Sequence, residues 1–170
     1  MRSPRGPVPV IAFAAYGGSV AQALCRLKYE DRPDLALPLG ALARRAVRQA
    51  GLDADVVVPV PLHPRRLAER GYNQAALLAR AVAAELQAPL RSLALQRVRP
   101  TLPQAALQRR QRESNVAAAF RVRQPRQILH RRVALVDDVI TTGATVIACA
   151  DAMRAAGARS VAAIAVARAT

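Results

Sequence analysis

Val133-Ala134-Leu135-Val136-Asp137-Asp138-Val139-Ile140-Thr141-Thr142-Gly143-Ala144-Thr145 is the stretch on which the reading of this chain turns. Residues 133–136 have the length and apolar character of a short buried strand. Two carboxylates stand at its end, followed by a run of hydroxyl, glycine and alanine residues. Residues 146–156 then read as a helix, with Gly157 as its C-cap. Strand, acidic turn, small-residue loop and helix N-terminus together make a device for holding a sugar phosphate. Backbone N–H groups of the loop and the positive end of the helix dipole cradle a phosphate. Thr141, Thr142 and Thr145 add hydroxyl donors, and Asp137 and Asp138 stand where ribose hydroxyls could reach them. Gly143 would admit the backbone close to an anion, where a Cβ would intrude. The plainer reading is an N-cap turn after a strand, and two adjacent acids ahead of Thr-Thr-Gly argue against it.

A second unit of the same design lies upstream. Residues 55–61 are a β-branched run closed by Pro59 and Pro61, read as a buried strand entering a rigid turn. A polar, basic loop follows over 63–74, then a helix whose apolar face includes Leu77, Leu78 and Val82 and which Pro89 stops. Residues 93–98 read as the returning strand. Two β–loop–α–β units, at 56–97 and 133–167, predict an α/β, three-layer fold with a mostly parallel central sheet. Ligands of such sheets sit at the carboxyl ends of the strands, so the loops 61–73 and 137–145 are expected to share one edge.

The remaining segments are less regular. Residues 1–15 read as a flexible lead-in, and 16–170 as a single domain. Helices are expected over 20–29 and from 34 or 38 to 49, the second closed by Gly51. Residues 100–112 carry little core material and are a candidate mobile loop. Residues 116–122 read as a strand with Phe120 inward, and 124–132 as an exposed, Arg-rich connection.

At 170 residues the chain is long enough for one well-buried core. It is 52% hydrophobic but 3% aromatic, so Ala, Val and Leu must fill that core. The net charge of +15, almost all of it arginine because Lys28 is the only lysine, favours anionic partners. Cys25 and Cys149 form no C-x-x-C pair and read as buried free thiols, not a metal site or disulfide. No apolar run reaches the ~20 residues that span a bilayer, so a cytoplasmic protein without membrane insertion is expected.

The stretch 133–145 closely resembles the 5-phosphoribosyl 1-pyrophosphate (PRPP) signature of type I phosphoribosyltransferases: apolar residues, two acids, two small or apolar residues, then Thr-Thr/Ser-Gly-x-Thr. Further segments narrow the match. They are Lys28-Tyr29, the run Pro59-Val60-Pro61-Leu62-His63-Pro64 with Arg66, Arg70, Gly71, Tyr72, Asn73 and Gln74, and Pro103-Gln104 with Leu107, Arg112, Asn115 and Phe120. Together they resemble the ComF/GntX family over roughly residues 16–168. Many members of that family begin with a cysteine-rich zinc-binding segment. This chain lacks one, which a naturally short form and a downstream start would both explain, and no zinc is expected.

The resemblance implies that Asp137 and Asp138 bind the ribose 2′- and 3′-hydroxyls. It implies that Thr141, Thr142, Gly143, Ala144 and Thr145 hold the 5-phosphate. Val60, Pro61 and Leu62 would meet pyrophosphate, with Arg65, Arg66 and Arg70 as nearby cations suited to bidentate phosphate contacts. Arg70 is the strongest of the three because of the Gly-Tyr-Asn-Gln that follows it. His63 could accept a proton, or could simply make a local hydrogen bond. Gln104, Arg109, Arg112 and Asn115 fall in the segment that folds over PRPP in related amidophosphoribosyltransferases. With Asp137, Asp138 and Arg70, Arg112 completes the expected catalytic set. Mg²⁺ is expected through PRPP oxygens, with no metal site formed by the protein alone.

Three functions are compatible with these residues: phosphoribosyl transfer from PRPP to an unidentified acceptor, handling of single-stranded DNA with the competence machinery, and PRPP sensing without turnover. The charge favours DNA as a partner, but three Tyr and two Phe are few for stacking bases. The oligomeric state is not legible.

Overall fold

A computed structural model of the chain describes residues 1–98 and 119–169. A small antiparallel hairpin, β1 (Arg2–Ser3) and β2 (Gly6–Pro7), leads into β3 (Val10–Ala15). Helices α1 (Gly18–Tyr29) and α2 (Ala36–Ala50) follow, then β4 (Val56–Pro59), α3 (Pro64–Arg70), α4 (Gln74–Leu86) and β5 (Leu95–Arg97). Beyond residue 119 come β6 (Phe120–Val122), β7 (Arg132–Val136), β8 (Val139–Ile140), α5 (Ala144–Ala155) and β9 (Ser160–Arg168).

The central sheet is parallel throughout, in the order β3-β9-β7-β4, with β8 continuing beside β9. The inner strands β7 and β9 and the strand β4 are buried on both faces, as parallel strands with helical crossovers are, while the edge strand β3 is only partly covered. On β7, Val133 and Leu135 join the core on the α5 side, whereas Ala134 and Val136 join the core under α1, α2 and α4. That alternation follows from the two-residue period of a strand. It makes the fold the three-layer α/β architecture the sequence predicted. Small side chains let the layers approach closely: a Cβ on Gly40 of α2 would lie 3.0 Å from Ala81 Cβ on α4. Arg44 and Arg48 of α2 close over this contact by pairing with Glu85, at 3.1 and 2.7 Å. At the far edge Arg132 pairs with Asp55 at 2.6 Å and clips the start of β7 to that of β4.

Several expectations need correction. Residues 10–15 are not a lead-in. They form the edge strand β3, in register with β9 from Val10 opposite Ala163 to Ala15 opposite Arg168. Val8 ahead of it is fully buried. The run Val-Ile-Ala-Phe-Ala-Ala is apolar on both faces, which is what a two-sided sheet demands and what the neighbouring Pro and Arg obscured. The 63–74 loop contains α3, whose N-terminus is capped by His63 Nδ1 accepting from the Arg65 amide at 3.3 Å. The strand β5 does not return to the main sheet but pairs antiparallel with β6; ahead of it, Leu90 makes an isolated parallel bridge to Val57 of β4. In the 124–132 connection Ile128 is fully buried. Cys149 is buried as expected, but Cys25 is exposed.

Candidate functional site

The carboxyl ends of β3, β4 and β7 converge on one cleft of about 350 Å³. Tyr16 enters from the end of β3, Val60, Pro61 and Leu62 from β4, and Asp137 and Asp138 from β7. Thr141 and Thr145, together with Lys28, Gln74 and Arg97, complete its lining. The two loops expected at a common edge therefore do share one.

The acidic pair interrupts a strand without shifting its register. Val136 lies opposite Ile164 and Val139 opposite Ala167, so residues 137 and 138 take up the two places between. Backbone bonds hold them there: the Asp137 amide donates to Ile164 O at 2.9 Å, and Asp138 O accepts from Val166 and Ala167. Strand alternation then sends the two side chains to opposite faces. Asp138 turns to the α1 side and meets Lys28, whose ammonium lies 2.5 Å from Oδ2. That contact is an ion pair; Oδ2 has no hydrogen bond of good angle. Asp138 is 3% exposed. Asp137 is half-buried on the side of Cys149 and Arg97, and its Oδ1 accepts from the Asp138 amide at 2.9 Å.

Electrostatics separate the groups. Burial and the adjacent Asp138 push the Asp137 carboxyl well above the usual range. Burial works against the charge on Lys28, but Asp138 and then Asp137 outweigh it and raise its pKa above the ordinary lysine value. Burial depresses the Arg97 guanidinium, which lies 5.6 Å from the Phe120 ring centroid. Burial also raises the Cys149 thiol, helped by Asp137, so this cysteine is no nucleophile at neutral pH.

The loop 141–145 runs into the N-terminus of α5. Among the described residues the amides of Thr141, Thr142, Gly143 and Thr145 find no acceptor, while that of Ala144 reaches Thr142 Oγ1 at 3.4 Å. The Gly143 and Thr145 amides are donors a helix N-terminus leaves open, and Thr141 and Thr142 add two from the loop ahead of the N-cap. Gly143 adopts φ 78°. A Cβ there would collide with the Met1 side chain, so the close approach at this glycine is made by a thioether methyl. The positive φ is the stronger demand. Gly143→Ala is therefore expected to cost about 1–2 kcal/mol through left-handed strain alone, measured by urea denaturation.

The arginines of the 59–74 motif lie elsewhere. Arg65 is exposed and pairs with Glu69 at 3.0 Å. Arg66 and Arg70 do not line the cleft but a neighbouring pocket, with Arg70 Nη1 donating to Gln74 Oε1 at 2.5 Å. Val60, Pro61 and Leu62 are at the cleft, and Asn73 fixes them: its Nδ2 donates to Val60 O at 3.0 Å while its Oδ1 caps α4. Gln104, Arg109, Arg112 and Asn115 lie outside the described residues. Sequence reasoning did not place Tyr16, Lys28, Gln74 or Arg97 in the site. For Lys28 a signal existed, since the one lysine in an arginine-rich chain is an outlier. Arg97 gave none, because its strand joins a separate two-stranded sheet.

No group of three or more His, Cys, Asp or Glu among the described residues could hold a metal alone. Asp138 Oδ2 already faces the Lys28 ammonium, so a divalent ion here would be held chiefly by phosphate oxygens of a ligand, with Asp137 as the nearby carboxylate. No helix among the described residues is long and apolar enough to cross a membrane.

The family model for the phosphoribosyl transferase domain matches residues 27–170. DNA utilization protein YhgH of Salmonella typhimurium is 36% identical over 157 residues, 89% of this chain and 68% of that protein. Competence protein F of Haemophilus influenzae is 36% identical over 126 residues, covering 71% of this chain and 55% of that one. Among solved structures, the glutamine PRPP amidotransferase of B. subtilis, complexed with ADP and GMP, superposes with a TM-score of 0.56 at 21% identity. The match covers 82% of this chain and 30% of that enzyme, so the likeness is one of fold and this chain spans less than a third of that protein. With an acidic pair closing the central strand, a small-residue loop opening α5 and a type I fold around them, the chain belongs to the phosphoribosyltransferase domain family, in the branch of DNA utilization protein YhgH and Competence protein F.

Proposed function

We propose that the protein binds PRPP with Mg²⁺ and transfers its phosphoribosyl group to an acceptor. What supports this reading most is the pairing, across one cleft, of a split acidic pair with a loop of open backbone amides. In this reading Asp137 and Asp138 accept the ribose hydroxyls, and the amides and hydroxyls of 141–145 hold the 5-phosphate. Lys28 and Arg97 are the cations facing the pyrophosphate end, and the backbone of Val60, Pro61 and Leu62 forms its wall. Mg²⁺, when bound through donor oxygens beside the two aspartates, neutralises charge on the leaving pyrophosphate. The protein supplies position and electrostatic stabilisation, and needs no covalent nucleophile.

Calorimetric titration with PRPP, with and without Mg²⁺, tests the donor site: saturable binding that needs Mg²⁺ is expected, and no binding would overturn it. A pyrophosphate-release screen across bases and amines tests turnover. Binding without release with any acceptor would favour a PRPP-sensing adaptor. A second reading, direct handling of single-stranded DNA, draws on the names of the relatives and the charge of +15. Salt-dependent retention of a single-stranded oligonucleotide tests it, and loss of all retention near physiological salt would remove it.

A further inference from the structure

A second pocket of about 510 Å³ adjoins the cleft, between the C-terminal end of α1 and the helix α3. Lys28 lines both cavities. Tyr29 stands in the second with 71% of its surface exposed, and the Arg70 guanidinium carbon lies 5.6 Å from its ring centroid. The surroundings of the ring are fixed. Arg70 is tied to Gln74, which is 5% exposed, and the Tyr72 hydroxyl donates to Leu27 O at 2.5 Å, pinning the α3–α4 joint against α1.

The charges in this pocket are unevenly committed. Lys28 is held by Asp138, and Glu69 by Arg65, while Asp31 also lines the pocket, so three cations there face two carboxylates. Arg66 makes no ion pair or hydrogen bond among the described residues, so its guanidinium is available to an anion. An exposed aromatic ring braced by one arginine, with a second arginine uncommitted beside it, combines a stacking surface with an anion contact. Stacking is indifferent to base identity, and guanidinium groups suit phosphate oxygens. An inorganic anion would leave the ring unused, and an apolar ligand would leave the arginines uncompensated.

We propose that this pocket binds one nucleotide unit, its base on Tyr29 and Arg70 and its phosphate on Arg66. Such a unit comes from a free nucleoside monophosphate or from a single strand. Placing it beside a donor rests on the PRPP reading; the pocket's own chemistry does not.

The test is binding of dTMP by calorimetry and of a fluorescein-labelled 12-residue oligo-dT by anisotropy, at about physiological salt. It compares the wild-type protein with Tyr29→Ala, Arg66→Ala and, as a charge-matched control on the exposed side of α4, Arg80→Ala. Tyr29→Ala is expected to weaken binding about fivefold or more, a stacking-sized loss. Arg66→Ala should weaken it more than Arg80→Ala does. Binding of dTMP itself would identify a free nucleotide as sufficient, and binding of the oligomer alone would identify a strand; both support the pocket. Wild-type protein that binds neither probe, Tyr29→Ala that binds like wild type, or equal losses in Arg66→Ala and Arg80→Ala would each overturn it. PRPP titrations on the same variants keep the two claims apart. Tyr29-dependent nucleotide binding without PRPP binding sinks the donor site only, and the reverse sinks the pocket only.

Discussion

Asp137→Asn/Asp138→Asn is expected to lower affinity for PRPP and Mg²⁺ by about a hundredfold or more, because each carboxylate gives up a charge-assisted hydrogen bond worth about 1.5–3 kcal/mol. The single variant Asp137→Asn should also behave in a way a purely structural residue would not. Burial and Asp138 hold the Asp137 carboxyl well above its usual range in the folded state. Below the unfolded carboxylate pKa of about 4, both states are protonated and the group costs the fold nothing. As pH rises past about 4 the unfolded chain ionises and the folded one resists, so native stability falls. An amide in its place removes that penalty. Asp137→Asn should therefore melt at a higher temperature than wild type at pH 7, with the gain vanishing below about pH 4, while PRPP binding is lost. Melts across pH 3.5–7.5 beside calorimetry measure both. A variant that binds PRPP like wild type would remove Asp137 from the donor site, and one that melts lower at pH 7 would refute the electrostatic account.

That pattern also explains what could be read from the chain alone. Val133–Val136 and the acids after it announce themselves because the strand is apolar on every position and then stops at two charges. A buried strand end tolerates that only for a purpose. The helices α1, α2 and α4 follow from periodicity and from Gly51 at a left-handed C-cap. What stayed hidden depends on tertiary placement. Residues 10–15 look like an apolar fragment until β9 is beside them. Where the arginines of 65–70 point depends on α3, which turns Arg65 to Glu69 and Arg70 to Tyr29. Arg97 reaches the cleft from a two-stranded sheet that no local signal connects to the site.

Lys28→Met is the other substitution with a large expected effect, and its direction follows from the face on which Asp138 emerges. The side chain of Asp138 is 4% exposed and that of Lys28 22%, so water can do little for either charge if its partner goes. Removing one member of a buried pair costs about 3–5 kcal/mol; with Lys28 partly exposed, about 2–4 kcal/mol is expected. Asp138→Asn in the same background should recover most of that loss, since an amide needs no counter-charge. The coupling from a double-mutant cycle in urea isolates the pair. It should hold across neutral pH: the lysine pKa is raised in the folded state, so the contribution is complete below about pH 10 and fades only as pH climbs through the folded value. If Asp138→Asn changes the unfolding free energy by the same amount in the wild type and in Lys28→Met, the coupling is zero, the ion pair contributes nothing and Lys28 is a packing residue. If the coupling appears, Lys28 is the counter-charge to a buried carboxylate at the mouth of the cleft. The Asp138 side chain is then fixed in one geometry before any ligand arrives, so ordering it is no part of the cost of binding.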